Sequence, residues 1–200
     1  MSVFPDRTAD MKLKDADILI IPGLGNSSPQ HWQSGWQAKM SSARRVEQDD
    51  WDRPNRKRWV ARLVEAVEQA DKPVMLIAHS VGVLTVIHAA AHFPKGKVAG
   101  AFLVGVSDWE RASLAKKFGD HGFAPVPREP LSFPAMLLAS SNDHTCDFDK
   151  AEDWARAWGA RFGNAGEAGH FEPSSGHGPW PEGMMAFAKF IQSVTPPVLQ

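Results

Sequence analysis

Four stretches of this chain each hold an unbroken apolar run of strand length: D-A-D-I-L-I-I-P-G, P-V-M-L-I-A, K-V-A-G-A-F-L-V-G and F-P-A-M-L-L-A-S-S. A strand with one wet face alternates apolar with polar residues, whereas an unbroken run needs cover on both faces. The segments between the runs supply that cover. From Asn55 to Ala70, Trp59, Val60, Leu63, Val64 and Val67 recur at helical spacing. V-G-V-L-T-V-I-H-A-A-A-H, residues 148–162 with Trp154, Ala155, Trp158 and Phe162, and residues 182–193 also read as helices. S-P-Q-H-W-Q-S-G-W-Q-A-K-M reads as a helix capped by Ser27 or Ser28, with Pro29 at its first position. A-R-R-V-E-Q is a weak strand candidate. Strands alternating with helices predict a three-layer α/β domain with a mostly parallel sheet.

At 200 residues the default is one domain. Residues 1–14 are polar and are expected to form a flexible arm, with the domain over 15–195. The stretch 107–132, which contains A-P-V-P-R-E-P, breaks the rhythm and is expected to be a surface loop near a site. A formal net charge of -1 gives no electrostatic case for nucleic acid or an acidic membrane. No run approaches the roughly 18 apolar residues of a membrane span, and the first ten residues lack a signal-peptide pattern. The single cysteine, Cys146, has no partner for an internal disulfide, which fits a cytoplasmic protein.

Between the second apolar run and the helix after it stands A-H-S-V-G. Ligands of α/β sheets bind beyond the carboxyl ends of strands, and Ser80 is at such an end. A nucleophilic serine on a tight strand-to-helix turn needs small residues two before and two after it. Ala78 and Gly82 meet that rule, with alanine in place of the first glycine of G-x-S-x-G. The alternative reading is an ordinary helix N-cap.

A serine nucleophile needs a base, and the base an orienting acid, in the chain order Ser, Asp or Glu, His. Asp143 in S-S-N-D-H-T follows the fourth run, where the acid is expected. Asp108, one strand earlier, is the second choice. Asp147 and Asp149 read as helix-cap residues. In A-G-H-F-E-P-S-S-G-H-G-P-W both His170 and His177 are base candidates, and spacing leans to His170. His79 reads as a structural group. The oxyanion donors expected are the backbone N–H groups of Val81, after the serine, and Leu24, in the loop P-G-L-G-N-S.

P-G-L-G-N-S with H-W after it, A-H-S-V-G, S-x-x-D with a cysteine three residues on, and G-H followed by S-G-x-G-x-W-P-E-G resemble the YdeN-type small serine hydrolases, the retinoblastoma-binding protein nine-like group. The resemblance runs from about Ile18 to Phe190. It implies an α/β-hydrolase fold without a large lid domain, and esterase or peptidase-like activity. It also implies Ser80 as nucleophile, Asp143 as acid and His170 as base. The family often has Pro after the acid; His144 stands there in this chain.

The expected function is hydrolysis of a small ester or amide through an acyl-enzyme, with a small-molecule acyl substrate, an open site and no cofactor. Two alternatives stand beside it. One is a metal-dependent hydrolase using H-T-C-D at 144–147 with His170 and His177, which lack a recognised ligand spacing. The other is a non-catalytic binding protein on the same scaffold. Among the tryptophans near the motifs, Trp32, Trp36 and Trp180 read first as core, and Trp109, in the irregular loop, as the pocket member.

Overall fold

The computed structural model describes residues 11–194. Six parallel strands form one sheet: β1 (Asp17–Ile21), β2 (Ala43–Arg45), β3 (Val74–His79), β4 (Val98–Val104), β5 (Ala135–Ala139) and β6 (Arg161–Asn164), in the order β2-β1-β3-β4-β5-β6. The helices are α1 (Trp32–Lys39), α2 (Arg56–Glu68), α3 (Val81–Ala89), α4 (Ala112–Phe118), α5 (Phe148–Trp158) and α6 (Pro181–Gln192). This is the α/β-hydrolase architecture, with no large lid domain among the described residues. No described helix is long and apolar enough to cross a membrane.

Each strand feeds both faces, because successive side chains point oppositely. Leu19, Ile21, Leu76 and Leu103 pack with Trp59, Leu63 and Val67 of α2, with α3, and with Trp154 and Trp158 of α5. Ile18, Ile20, Ile77 and Phe102 pack instead with Trp32 and Trp36 of α1 and Phe187, Phe190 and Ile191 of α6. Each large side chain buried this way contributes about 1.5–3 kcal/mol. α3 lies almost wholly inside: all of Val81–Ile87 and Ala89 are buried. The largely apolar sequence after Ser80 therefore anchors the turn that carries the serine.

The strand order reverses direction between β1 and β3, which opens a crevice at their carboxyl ends. The β1 loop carries Gly23 and Leu24, and the β3 turn carries Ser80. Several elements differ from the sequence reading. α1 starts at Trp32 and is capped by His31, whose Nδ1 accepts from the Gln33 N–H at 3.2 Å. Ser27 does not cap it, because its hydroxyl donates to Gln33 Oε1 at 2.7 Å. α5 stops at Trp158 because Gly159 takes the left-handed conformation, so Phe162 lies in β6. Residues 1–10 of the expected arm lie outside the described residues. Of residues 11–14, Met11 is in the core and Leu13 is half-buried, whereas Lys12 and Lys14 are exposed, with the Lys14 carbonyl accepting from Lys72 Nζ. The 107–132 loop holds the short helix α4.

Candidate functional site

Ser80 takes φ 58° and ψ -129° at the junction of β3 and α3. A non-glycine residue at positive φ costs on the order of 1–3 kcal/mol, so surrounding structure must hold it there. Two glycines make room. A Cβ on Gly82 would collide with the carbonyl oxygens of Ile21 and Pro22, the latter at 2.5 Å, and one on Gly23 would sit 2.6 Å from Ser80 Cβ. The result is a nearly buried hydroxyl, 8% exposed as a residue, at the N-terminus of a buried helix.

Ser80 Oγ lies 2.9 Å from His170 Nε2, and His170 Nδ1 lies 2.8 Å from Asp143 Oδ2. A carboxylate only accepts, so the imidazole proton sits on Nδ1 and leaves Nε2 to accept from the serine. Thr145 fixes Asp143: its N–H donates to Asp143 Oδ1 at 2.8 Å, and its hydroxyl stands 3.1 Å from His170 Nδ1. The loops after β5 and β6 are tied together. Ser141 N–H donates to the Gly166 carbonyl, Ala168 N–H to Ser140 Oγ, and Gly169 N–H to Asn142 Oδ1. The strand before His170 is β6, which ends at Asn164. The turn after it, with positive φ at Gly166, Gly169 and Phe171, delivers the histidine to the serine.

His177 is elsewhere. Its Nδ1 contacts the Ser175 carbonyl at 2.9 Å, and its ring packs on Phe171 and Trp180 beside a separate cavity. Asp108, the second-choice acid, is buried but engaged by Lys150 at 2.9 Å and Arg111 at 3.4 Å. Asp147 meets Arg111, and Cys146 is buried with its thiol pushed up to about 12, chiefly by desolvation. Among the described residues no three His, Cys, Asp or Glu side chains gather as a ligand set.

A cavity of about 270 Å³ opens onto Ser80 and His170, with Gly23, Leu24, His31, Ser107 and Trp109 in its wall. Leu24 is 40% exposed at the mouth. Neither its N–H nor that of Val81 has a hydrogen-bond partner among the described residues. Arg45 holds this loop by donating to Asn26 Oδ1 at 2.6 Å and to the Ser27 carbonyl at 3.1 Å. Trp109 is buried, stacks on Phe118 and donates its indole N–H to Ser107 Oγ at 2.9 Å, which stands 3.4 Å from Ser80 Oγ. Trp32 and Trp36 are core residues, and Trp180 lines the His177 cavity.

Sequence reasoning missed Ser107, Thr145, Gly105 and His31. A Cβ on Gly105 would press on Phe171 at 3.0 Å and lie 3.6 Å from both Asp143 Oδ2 and His170 Nδ1. Its place at the end of an apolar run was the available signal.

His79, second in the elbow, donates its Nε2–H to the His170 carbonyl at 2.8 Å. Its ring stands 4.8 Å from that of His170 and 4.9 Å from that of His31. Desolvation, then the proximity of His170 and His31, pushes it well below the usual histidine range, although the His170 carbonyl opposes this. Desolvation, with the Arg45 guanidinium and His170 adding to it, lowers His31 to about 4. An unfolded histidine titrates near 6.5, so on acidification the unfolded chain takes up these protons first. The stability from neutral His31 is therefore present above about 6.5 and lost as pH falls towards 4. Between pH 7.5 and 4.5 the wild type should lose on the order of 2 kcal/mol more than His31→Asn in urea unfolding. Equal losses would contradict the burial of a neutral ring.

The serine hydrolase family model matches residues 18–189, from β1 into α6. Among solved structures, a YdeN-like hydrolase from Pectobacterium atrosepticum is 31% identical, with 92% of this chain and 94% of that chain covered and a TM-score of 0.80. The ydeN gene product of B. subtilis is 19% identical over 88% of this chain and 98% of that chain, with a TM-score of 0.69. Esterase 2 of Thermogutta terrifontis shares the fold at 15% identity, covering 96% of this chain and 89% of that one, with a TM-score of 0.66. Comparison with curated proteins gives no match. With the family model matching from its first strand into its last helix and a YdeN-like hydrolase 31% identical over most of both chains, the chain belongs to the serine hydrolase family as an enzymatic hydrolase of the YdeN type within the α/β-hydrolases.

Proposed function

We propose that the protein cleaves small esters or amides through an acyl-enzyme on Ser80. The observation that carries the reading is the hydrogen-bonded chain from Ser80 Oγ through His170 to Asp143. His170 Nε2 takes the hydroxyl proton as Ser80 Oγ attacks the acyl carbon, and Asp143 holds the imidazole in the right tautomer and stabilises its charged form. The N–H groups of Val81 and Leu24, with the positive end of α3 behind them, receive the oxyanion. His170 returns the proton to the leaving group as its bond to the acyl carbon breaks; it then draws a proton from water, whose oxygen attacks the acyl carbon, and gives that proton to Ser80 Oγ as the Oγ–acyl bond breaks and the acid leaves. Each step uses side chains, backbone donors and water alone.

The cavity is smaller than the roughly 300–1,000 Å³ usual for drug-sized ligands, and it favours short acyl groups, with Trp109 as part of the wall that meets them. The test is kcat/KM across p-nitrophenyl acetate, butyrate and palmitate. Acetate and butyrate should be turned over well ahead of palmitate; the reverse order would overturn the small-substrate reading. The unpaired, buried Cys146 supports residence in the reducing cytoplasm, and the near-zero net charge supports a small-molecule partner rather than nucleic acid or membrane.

A further inference from the structure

His31 is an unexpected helix cap. Asn, Asp and Ser do this work best, at the surface and at little cost. Here the cap is a nearly buried imidazole, beside the rings of Trp32 and His79 and in the wall of the Ser80 cavity. Its two nitrogens are not equivalent. Nδ1 accepts from the Gln33 backbone N–H, so it carries no proton. A neutral imidazole then carries its one proton on Nε2, on the far side of the ring from that bond. Nε2 has no hydrogen-bond partner among the described residues: His79 packs against the ring without bonding to it, and the Arg45 donors are spent on Gln37, Asn26, Ser27 and Ser34. Nε2 is not among the fully buried unpartnered polar atoms, and His31 lines the cavity, so this donor is within reach of a molecule bound there.

We propose that His31 is a substrate-contacting residue, its Nε2–H donating a hydrogen bond to an acceptor oxygen of the acyl compound bound over Ser80. The inference rests on the catalytic reading of Ser80 given above. Among the residues that line the cavity, Leu114 and Trp109 are apolar, and Asn26 and His31, on the loop that also carries Leu24, are polar. The substrate class is therefore an uncharged acyl compound with its apolar part against Trp109 and Leu114 and an oxygen towards His31. The suppressed basicity of His31 keeps this donor neutral at physiological pH, so it selects an oxygen acceptor without drawing in anions.

Two variants separate the cap from the donor. His31→Asn places an oxygen where Nδ1 was, so the cap survives, but the side chain is too short to reach the substrate. His31→Gln weakens the cap and places an amide N–H near the position of Nε2. The readouts are kcat/KM on p-nitrophenyl butyrate and on p-nitrophenyl methoxyacetate, in which an ether oxygen replaces one methylene, together with fluorophosphonate labelling of Ser80. His31→Asn should lose about tenfold in kcat/KM on one or both esters while its urea midpoint at pH 7.5 stays near wild type, and His31→Gln should recover most of that loss. Loss on the ether ester alone places the bond on the acyl chain; equal loss on both places it on the ester oxygens. Unchanged kcat/KM in His31→Asn, or His31→Gln failing as badly as His31→Asn with Ser80 still labelled, would overturn the proposal. Failure of Ser80 to label in the folded wild type would instead remove the catalytic reading beneath it.

Discussion

Ser80→Ala should lower kcat on p-nitrophenyl butyrate by about 10⁵- to 10⁶-fold while leaving the fold intact. The loss is this large because the proposed reaction runs through a bond to Ser80 Oγ, and no neighbour can replace it. Ser107 Oγ is 3.4 Å away, but it accepts from the Trp109 indole and makes no hydrogen bond to His170 among the described residues. His170→Ala should cost about as much, and the double variant hardly more than either single one, since the two groups act as a unit. Asp143→Asn should cost about 10⁴-fold, because an amide facing Nδ1 favours the wrong imidazole tautomer. Single-turnover and steady-state assays of the purified variants check this. A Ser80→Ala protein within tenfold of wild type would rule out the serine as nucleophile.

Gly82→Ala should destabilise the protein by about 3 kcal/mol, the upper range for overpacking. One methyl group has this effect because of what it meets. Its contacts would be the carbonyl oxygens of Ile21 and Pro22 and the Ile21 carbonyl carbon at 3.1 Å, all backbone. Ile21 is paired in register with Ala78 of β3, so the strand end cannot move away without disturbing the strand that carries Ser80. A shift there also displaces Gly23 and Leu24, and misplacement of the proposed oxyanion loop by about 1 Å should lower kcat on the order of 10²-fold. Urea unfolding and kcat of the variant measure both effects. A change within about 0.5 kcal/mol would mean that the elbow is looser than the geometry requires.

The same contact explains why this part of the site was legible in the sequence. The crowding rule around the serine depends on residues two positions either side, and Gly82 is where the backbone passes closest. Ala78 is tolerated in place of glycine: it is a buried β3 residue paired with Ile21 and Leu103. The central strands were legible because burial on both faces makes them apolar throughout. β6 was not, because R-F-G-N is an edge strand whose Gly163 is needed for packing: a Cβ there would lie 2.5 Å from Leu138 Cδ2. His170 and His177 stand seven residues apart in one glycine-rich loop. Local pattern does not separate them; the tertiary ties of that loop to Ser140 and Asn142 do. Asp143 and Asp108 differ in the same way, since only the fold reveals that Lys150 and Arg111 claim Asp108. Ser107, Thr145 and His31 reach the cavity from three separate loops, and no spacing in the chain encodes their meeting.

The central claim is that His170 activates Ser80. The most direct test is fluorophosphonate labelling of the purified protein with mass mapping of the adduct, beside His170→Ala and His177→Ala. The account predicts one adduct, on Ser80, lost in His170→Ala and retained in His177→Ala. An adduct on another residue, no adduct on the folded wild type, or loss in His177→Ala with retention in His170→Ala would contradict it.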